Sequence, residues 1–202
     1  MEIDEAIAEL GTKLDEWLDS NIETFESQDR TAQLKALLKG SEITNELDGL
    51  KAGAKTAINA LLKRPDSAAD VERAASLIRA FELASKVADA LHDELLDTDG
   101  ESEVWHLMDA IVRALNKIGT GRAALATLFD KPDSGVRAAA GAYLIDLMPD
   151  RVVPILREID EKGGGRSADF GAHWTLLAWD LDKKSRFNYL SQNRSSAKTP
   201  TE

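Results

Sequence analysis

The stretch Leu128-Phe129-Asp130-Lys131-Pro132-Asp133-Ser134, continued by Gly135-Val136-Arg137-Ala138-Ala139-Ala140, carries the most information about the fold. It reads as the end of a helix, a Pro-Asp-Ser turn, and a second helix with a small face. The residue before a proline leaves the helical region, so the first helix stops there. Leu61-Leu62-Lys63-Arg64-Pro65-Asp66-Ser67 repeats the pattern and is followed by Arg73-Ala74-Ala75. Alanine on the second helix lets a neighbour approach closely. Helix, turn and small-faced helix together are the grammar of stacked helical hairpins. The two copies are widely separated, so an irregular hairpin lies between them.

Outward from these turns, the apolar residues recur at helical spacing throughout. Ile3, Ile7, Leu10, Leu14, Trp17 or Leu18, Ile22 and Phe25 form one stripe, which predicts a helix over 3–28. Gly11 weakens its second turn by about 1 kcal/mol relative to alanine. A short helix is expected at 30–39, closed by Gly40 as a left-handed cap, with Ser41 capping a helix that ends before Pro65. Ser67 to Asp70 resembles a capping box and starts a helix that runs to about residue 95. Asp97-Thr98-Asp99-Gly100 reads as a loop. Helices are then expected at 102–118, 121–129, 134–147, 151–162 and 167–181, with Pro154 tolerable only in a first turn. Residues 183–202 hold five basic residues and little apolar surface and read as a flexible basic tail. No stretch alternates at period two, so no sheet is expected.

Composition narrows the chemistry. The chain has 202 residues, no cysteine and three histidines. Thiolate nucleophiles, Cys-ligated zinc and iron–sulfur clusters are excluded, and a reducing compartment suits it. The amino terminus is acidic where a secretory signal needs a basic start, and no 18-residue apolar run occurs. The expected location is cytoplasmic, with no membrane partner. Net charge is -11, of which residues 1–50 contribute -9 and residues 151–202 contribute +2. Such a surface repels phosphate backbones and favours a basic partner.

The second copy of the turn carries a more specific pattern. Lys131 to Ala140, then Leu144 and Pro149, resembles a HEAT-type repeat. The resemblance implies that Asp133 caps the second helix, that Val136 and the alanines face a core, and that Arg137 ties the turn. With Val153-Pro154-Ile155-Leu156, the glycines 163–165 and Asp169-Phe170-Gly171-Ala172-His173-Trp174, the match extends over roughly 81–182. It is similar to a family of small bacterial HEAT-like domains of unknown function. Relatives of that kind are met as scaffolds and as immunity proteins beside secreted toxins. The family brings no catalytic residues; its matching positions Val136, Arg137, Ala139, Leu144, Leu156, Ala172 and Trp174 are structural.

Motifs for catalysis are thin. Glu103-Val104-Trp105-His106 has the spacing of a di-iron ligand pair, but no second copy exists, so a surface pair is the better reading. His92 reads as a helix-end histidine. His173, one turn after Asp169, lacks a nucleophile to activate. Trp17, Trp105, Trp174 and Trp179 read as packing residues. Gly163-Gly164-Gly165-Arg166-Ser167 lacks the lysine of a phosphate loop, and Asp97, Asp99, Glu101 and Glu103 lack the spacing of a calcium loop.

The sequence therefore predicts an all-α fold of antiparallel hairpins stacked as a short HEAT-like solenoid. The expected divisions are 1–98, 99–182 and the tail 183–202. The expected function is non-catalytic protein binding with no cofactor and no metal; the resemblance implies, most specifically, a bacterial immunity protein that neutralises a cognate toxin. A HEAT-like nucleic-acid binder or a scaffold subunit is the alternative. The expected contact residues are Asp15, Glu16, Asp19, Glu23, Glu26, Asp97, Asp99, Glu101 and Glu103. Like charges that close repel and contribute nothing to the fold, which a cationic partner would relieve.

Overall fold

The computed structural model describes residues 3–26, 29–62, 70–118, 121–163 and 167–181. Among them no strand occurs, and the protein is all-α. The helices are α1 (Ile3–Glu26), α2 (Arg30–Leu62), α3 (Asp70–Asp93), α4 (Thr98–Leu115), α5 (Ser134–Leu144), α6 (Pro149–Lys162) and α7 (167–181), with a 3-10 helix over Gly121–Asp130. The turn at 63–69, its capping box and the tail 183–202 lie outside the described residues.

Two compact units divide the chain between Leu128 and Phe129. In the first, α1 packs on α2 and α3, and α3 packs on α4. Helix α3 is central. Leu77, Ala80, Phe81, Ala84, Val87, Ala88 and Leu91 are buried along one broad face of it, and Ala74, Ser76, Ser85 and Ala90 are buried on the flanks of that face. Ile7, Ile58, Met108, Ile111 and Leu115 from the other helices complete this core. The expected division at 98/99 falls inside the α3–α4 hairpin. That hairpin closes tightly: Leu96 takes the left-handed conformation (φ 51°) and Asp97 N–H donates to the Leu91 carbonyl at 3.0 Å.

Three local expectations are corrected. Gly40 does not end a helix; α2 runs through it, and only Gly121 and Gly163 among the described glycines have positive φ. Gly40 is buried because Trp17 lies against it, where a Cβ would come within 2.6 Å of the ring. Asp97-Thr98-Asp99-Gly100 is not a loop. Asp97 caps α4 by accepting from Gly100 N–H at 3.0 Å, so the following residues are its first turn. Pro154 lies inside α6, beyond the first turn that Pro149 opens.

In the second unit, α5 packs on α6. Asp133 caps α5 through Val136 N–H at 3.0 Å. Val136, Ala139, Ala140, Leu144, Leu156 and Ala172 are buried, as expected of core positions. Gly141 lets the pair close, because a Cβ there would lie 2.7 Å from the Leu156 side chain. Trp174 departs from the expected packing role: it is 52% exposed.

Candidate functional site

The acidic candidates separate into two groups. On α1, Glu16 and Asp19 are exposed. The side chains of Asp15, Glu23 and Glu26 lie outside what the structure describes. In the second group, most of the charges have partners within the fold. Lys51 on α2 pairs with Asp97, and Lys55 reaches Glu103 at 2.7 Å. Glu101 takes His92 Nδ1 at 2.9 Å and accepts from Trp105 Nε1 at 3.2 Å. Asp99 is exposed. The four acids at 97–103 therefore do not form an unrelieved repulsive cluster, because lysines one turn apart on α2 face them. That relation is not visible until α2 and α4 are known to pack.

Burial pushes the Asp97 carboxyl up, but the Lys51 ammonium and the Gly100 N–H outweigh it and hold the group below its ordinary value. The hydrogen bond from Lys55 holds Glu103 low as well. For Asp97 the sign follows from linkage. A lowered native value means stability that is complete above the ordinary carboxylate range and is lost as pH falls through the native value. Asp97→Asn keeps an N-cap but removes the ion pair. We expect it to cost about 1 kcal/mol at neutral pH. The gap to wild type should close as pH falls below the carboxylate range. Urea titrations of both proteins across pH test this; a gap independent of pH would assign the loss to something other than charge.

The histidines do not converge. His106 is exposed, and its expected neighbour Glu103 turns to Lys55. His173 sits 3.4 Å from Asp160 on α6. Among the described residues no three His, Asp or Glu side chains are placed to hold a metal ion. A small cleft of about 260 Å3 lies over Ile58, Val87, Leu91, Val104 and Leu107, with Lys51, Lys55 and Glu103 at its rim.

The larger feature lies in the second unit, where a groove of about 790 Å3 runs between α6 and α7. Val153, Pro154, Leu176, Leu177 and Trp179 supply its apolar wall. Asp150, Asp160, Glu161 and Asp180 line it with Arg157. Beside it, α7 carries two apolar faces. Ala168 and Ala172 are buried on one. On the other, Phe170, Trp174, Leu177 and Leu181 recur at helical spacing and are 57%, 52%, 39% and 58% exposed. The Phe170 and Trp174 rings meet edge to face, with centroids 5.8 Å apart. Leu177 belongs to both the row and the groove. The sequence reads Trp174 as a packing residue, and spacing alone does not tell which face of the helix is covered.

No helix among the described residues is long and apolar enough to cross a membrane. The chain matches no protein-family model, no curated protein and no solved structure.

Proposed function

We propose that the protein is a non-catalytic protein-binding module, built from HEAT-like hairpins, whose contact surface is the outer face of α7 with the adjoining groove. The observation that carries this reading is the row Phe170, Trp174, Leu177 and Leu181, exposed together on one helix face. Contiguous apolar surface of this kind marks interaction sites, and tryptophan is the residue most enriched among binding hot spots. The acidic groove wall and the net charge of -11 favour a basic partner. In its most specific form, which rests on the resemblance to immunity-type relatives, the module works in the bacterial cytoplasm and neutralises a cognate toxin by covering it.

Growth protection tests the specific form. The chain is co-expressed with the product of the gene adjacent to its own. We expect the toxic product to arrest growth alone and the chain to restore it. The double variant Trp174→Glu/Leu177→Glu should lose protection, and Val71→Glu, an exposed apolar position on α3, should keep it. Absence of toxicity, or equal protection by all variants, retires the immunity reading.

A further inference from the structure

We infer that the partner element received by α7 is an amphipathic α-helix of about three turns with basic residues along one flank. The inference rests on the protein-binding reading and specifies the ligand of the same surface. Three features of the site support it.

The first is length. From Phe170 to Leu181 the exposed row spans about 16 Å, or three helical turns. A partner helix with apolar residues at the same period would cover it residue for residue, as ridges fill grooves between packed helices.

The second is the backbone. A peptide that binds by strand addition needs a sheet edge to pair its own N–H and C=O groups. No strand exists among the described residues to offer one. A helix brings its backbone already bonded and asks only for side-chain contact. The flank opposite the groove suits close approach. Gly171 has open space where a Cβ would stand, and Ala178 is exposed.

The third is charge. The groove that Leu177 shares is lined by Asp150, Asp160, Glu161 and Asp180 against one arginine, Arg157, with His173 3.4 Å from Asp160. Lysines or arginines on one flank of the incoming helix would meet these carboxylates while its apolar face met Trp174 and Leu181. A second copy of this chain is the competing occupant. It would bring the same carboxylates against themselves and unite two chains each carrying -11, which charge disfavours.

The test uses the full chain and four synthetic peptides. One is an amphipathic leucine–lysine peptide with apolar residues at helical period. The second has the same composition in scrambled order. The third has the first pattern with glutamate for lysine. The fourth has the sequence of residues 183–202. Binding is read by anisotropy of the labelled peptide at low and high salt, and helix formation by circular dichroism. We expect the patterned basic peptide to bind, to gain helix on binding, and to weaken as salt rises. Trp174→Glu/Leu177→Glu, with an unchanged helical spectrum, should bind it about thirtyfold more weakly or worse, while Val71→Glu matches wild type. Equal binding of the scrambled peptide would overturn the helix. Equal binding of the glutamate peptide would overturn the basic flank. No binding by any peptide, or binding that ignores the double variant, would overturn the site. A concentration-dependent dimer by light scattering that the double variant abolishes would reassign the face to a second copy. Displacement of the probe by the 183–202 peptide would reassign it to the chain's own terminal segment. Peptide binding with failed growth protection retires the toxin and keeps the helix-binding face. Protection without peptide binding does the reverse.

Discussion

Truncating Phe81 to alanine is expected to cost about 3–5 kcal/mol, the range for emptying a buried aromatic site. The ring is fully buried on α3, the helix that packs on α1, α2 and α4. Its neighbours along the helix, Ala80 and Ala84, are too small to swing into the void. The Ser85 hydroxyl donates to the Phe81 carbonyl at 2.9 Å and stands 3.5 Å from Met108 Sδ, which ties the adjacent turn in place. The cavity should therefore stay open rather than collapse, and open cavities lie at the costly end of the range. Domains of this size hold only about 5–15 kcal/mol in total, so the first unit should be close to its limit. The urea midpoint should fall by roughly 2 M, with Phe81→Leu costing much less because most of the volume is kept. A shift below about 1 kcal/mol for the alanine variant would mean that α3 is not the centre of the packing.

The second large effect turns on one methyl group. Gly40→Ala should destabilise by about 2 kcal/mol, although alanine is the better helix former by about 1 kcal/mol. The new Cβ would stand 2.6 Å from Trp17 Cζ2 and 2.7 Å from Cη2, and an aromatic ring cannot bend away. Nor can it slide freely, because Trp17 Nε1 donates to the Ala36 carbonyl at 3.1 Å, one turn earlier on the same helix. Moving the ring gives up that bond, worth about 1 kcal/mol. Gly53→Ala makes the same chemical change in the same helix with nothing within 4 Å, so only propensity acts. It should stabilise by about 0.5–1 kcal/mol. Thermal midpoints of the two variants should move in opposite directions. In a Trp17→Leu background the penalty at Gly40 should shrink or reverse, since the cycle removes the ring that causes it. If Gly40→Ala raises the midpoint as Gly53→Ala does, α1 and α2 do not pack through this contact.

Local chemistry determined much of this protein. The apolar periods that predict helices over 3–28, from the Ser67–Asp70 start to about 95, and over 102–118 find helices there, Ile3–Glu26, Asp70–Asp93 and Thr98–Leu115, because a stripe at 3.6 residues has no other compact use. The Pro-Asp-Ser turn before α5 was legible for the same reason: the Asp133 carboxylate meets a backbone N–H three residues on, within one turn. The exclusion of cysteine chemistry came from composition alone.

Other features depended on residues distant in the chain. Gly40 carries the same local signal whether it ends a helix or seats a ring; Trp17, brought by α1, made it a seat. Asp97 and Glu103 read as an unrelieved acidic cluster until α2 laid Lys51 and Lys55 against them. In α7, Trp174 read as a packing residue. The core took Ala168 and Ala172 instead, and the large side chains were left facing outward. Periodicity gives the faces of a helix, but only the shape of the neighbouring helices decides which face is covered, because small residues allow the closer approach and large ones do not.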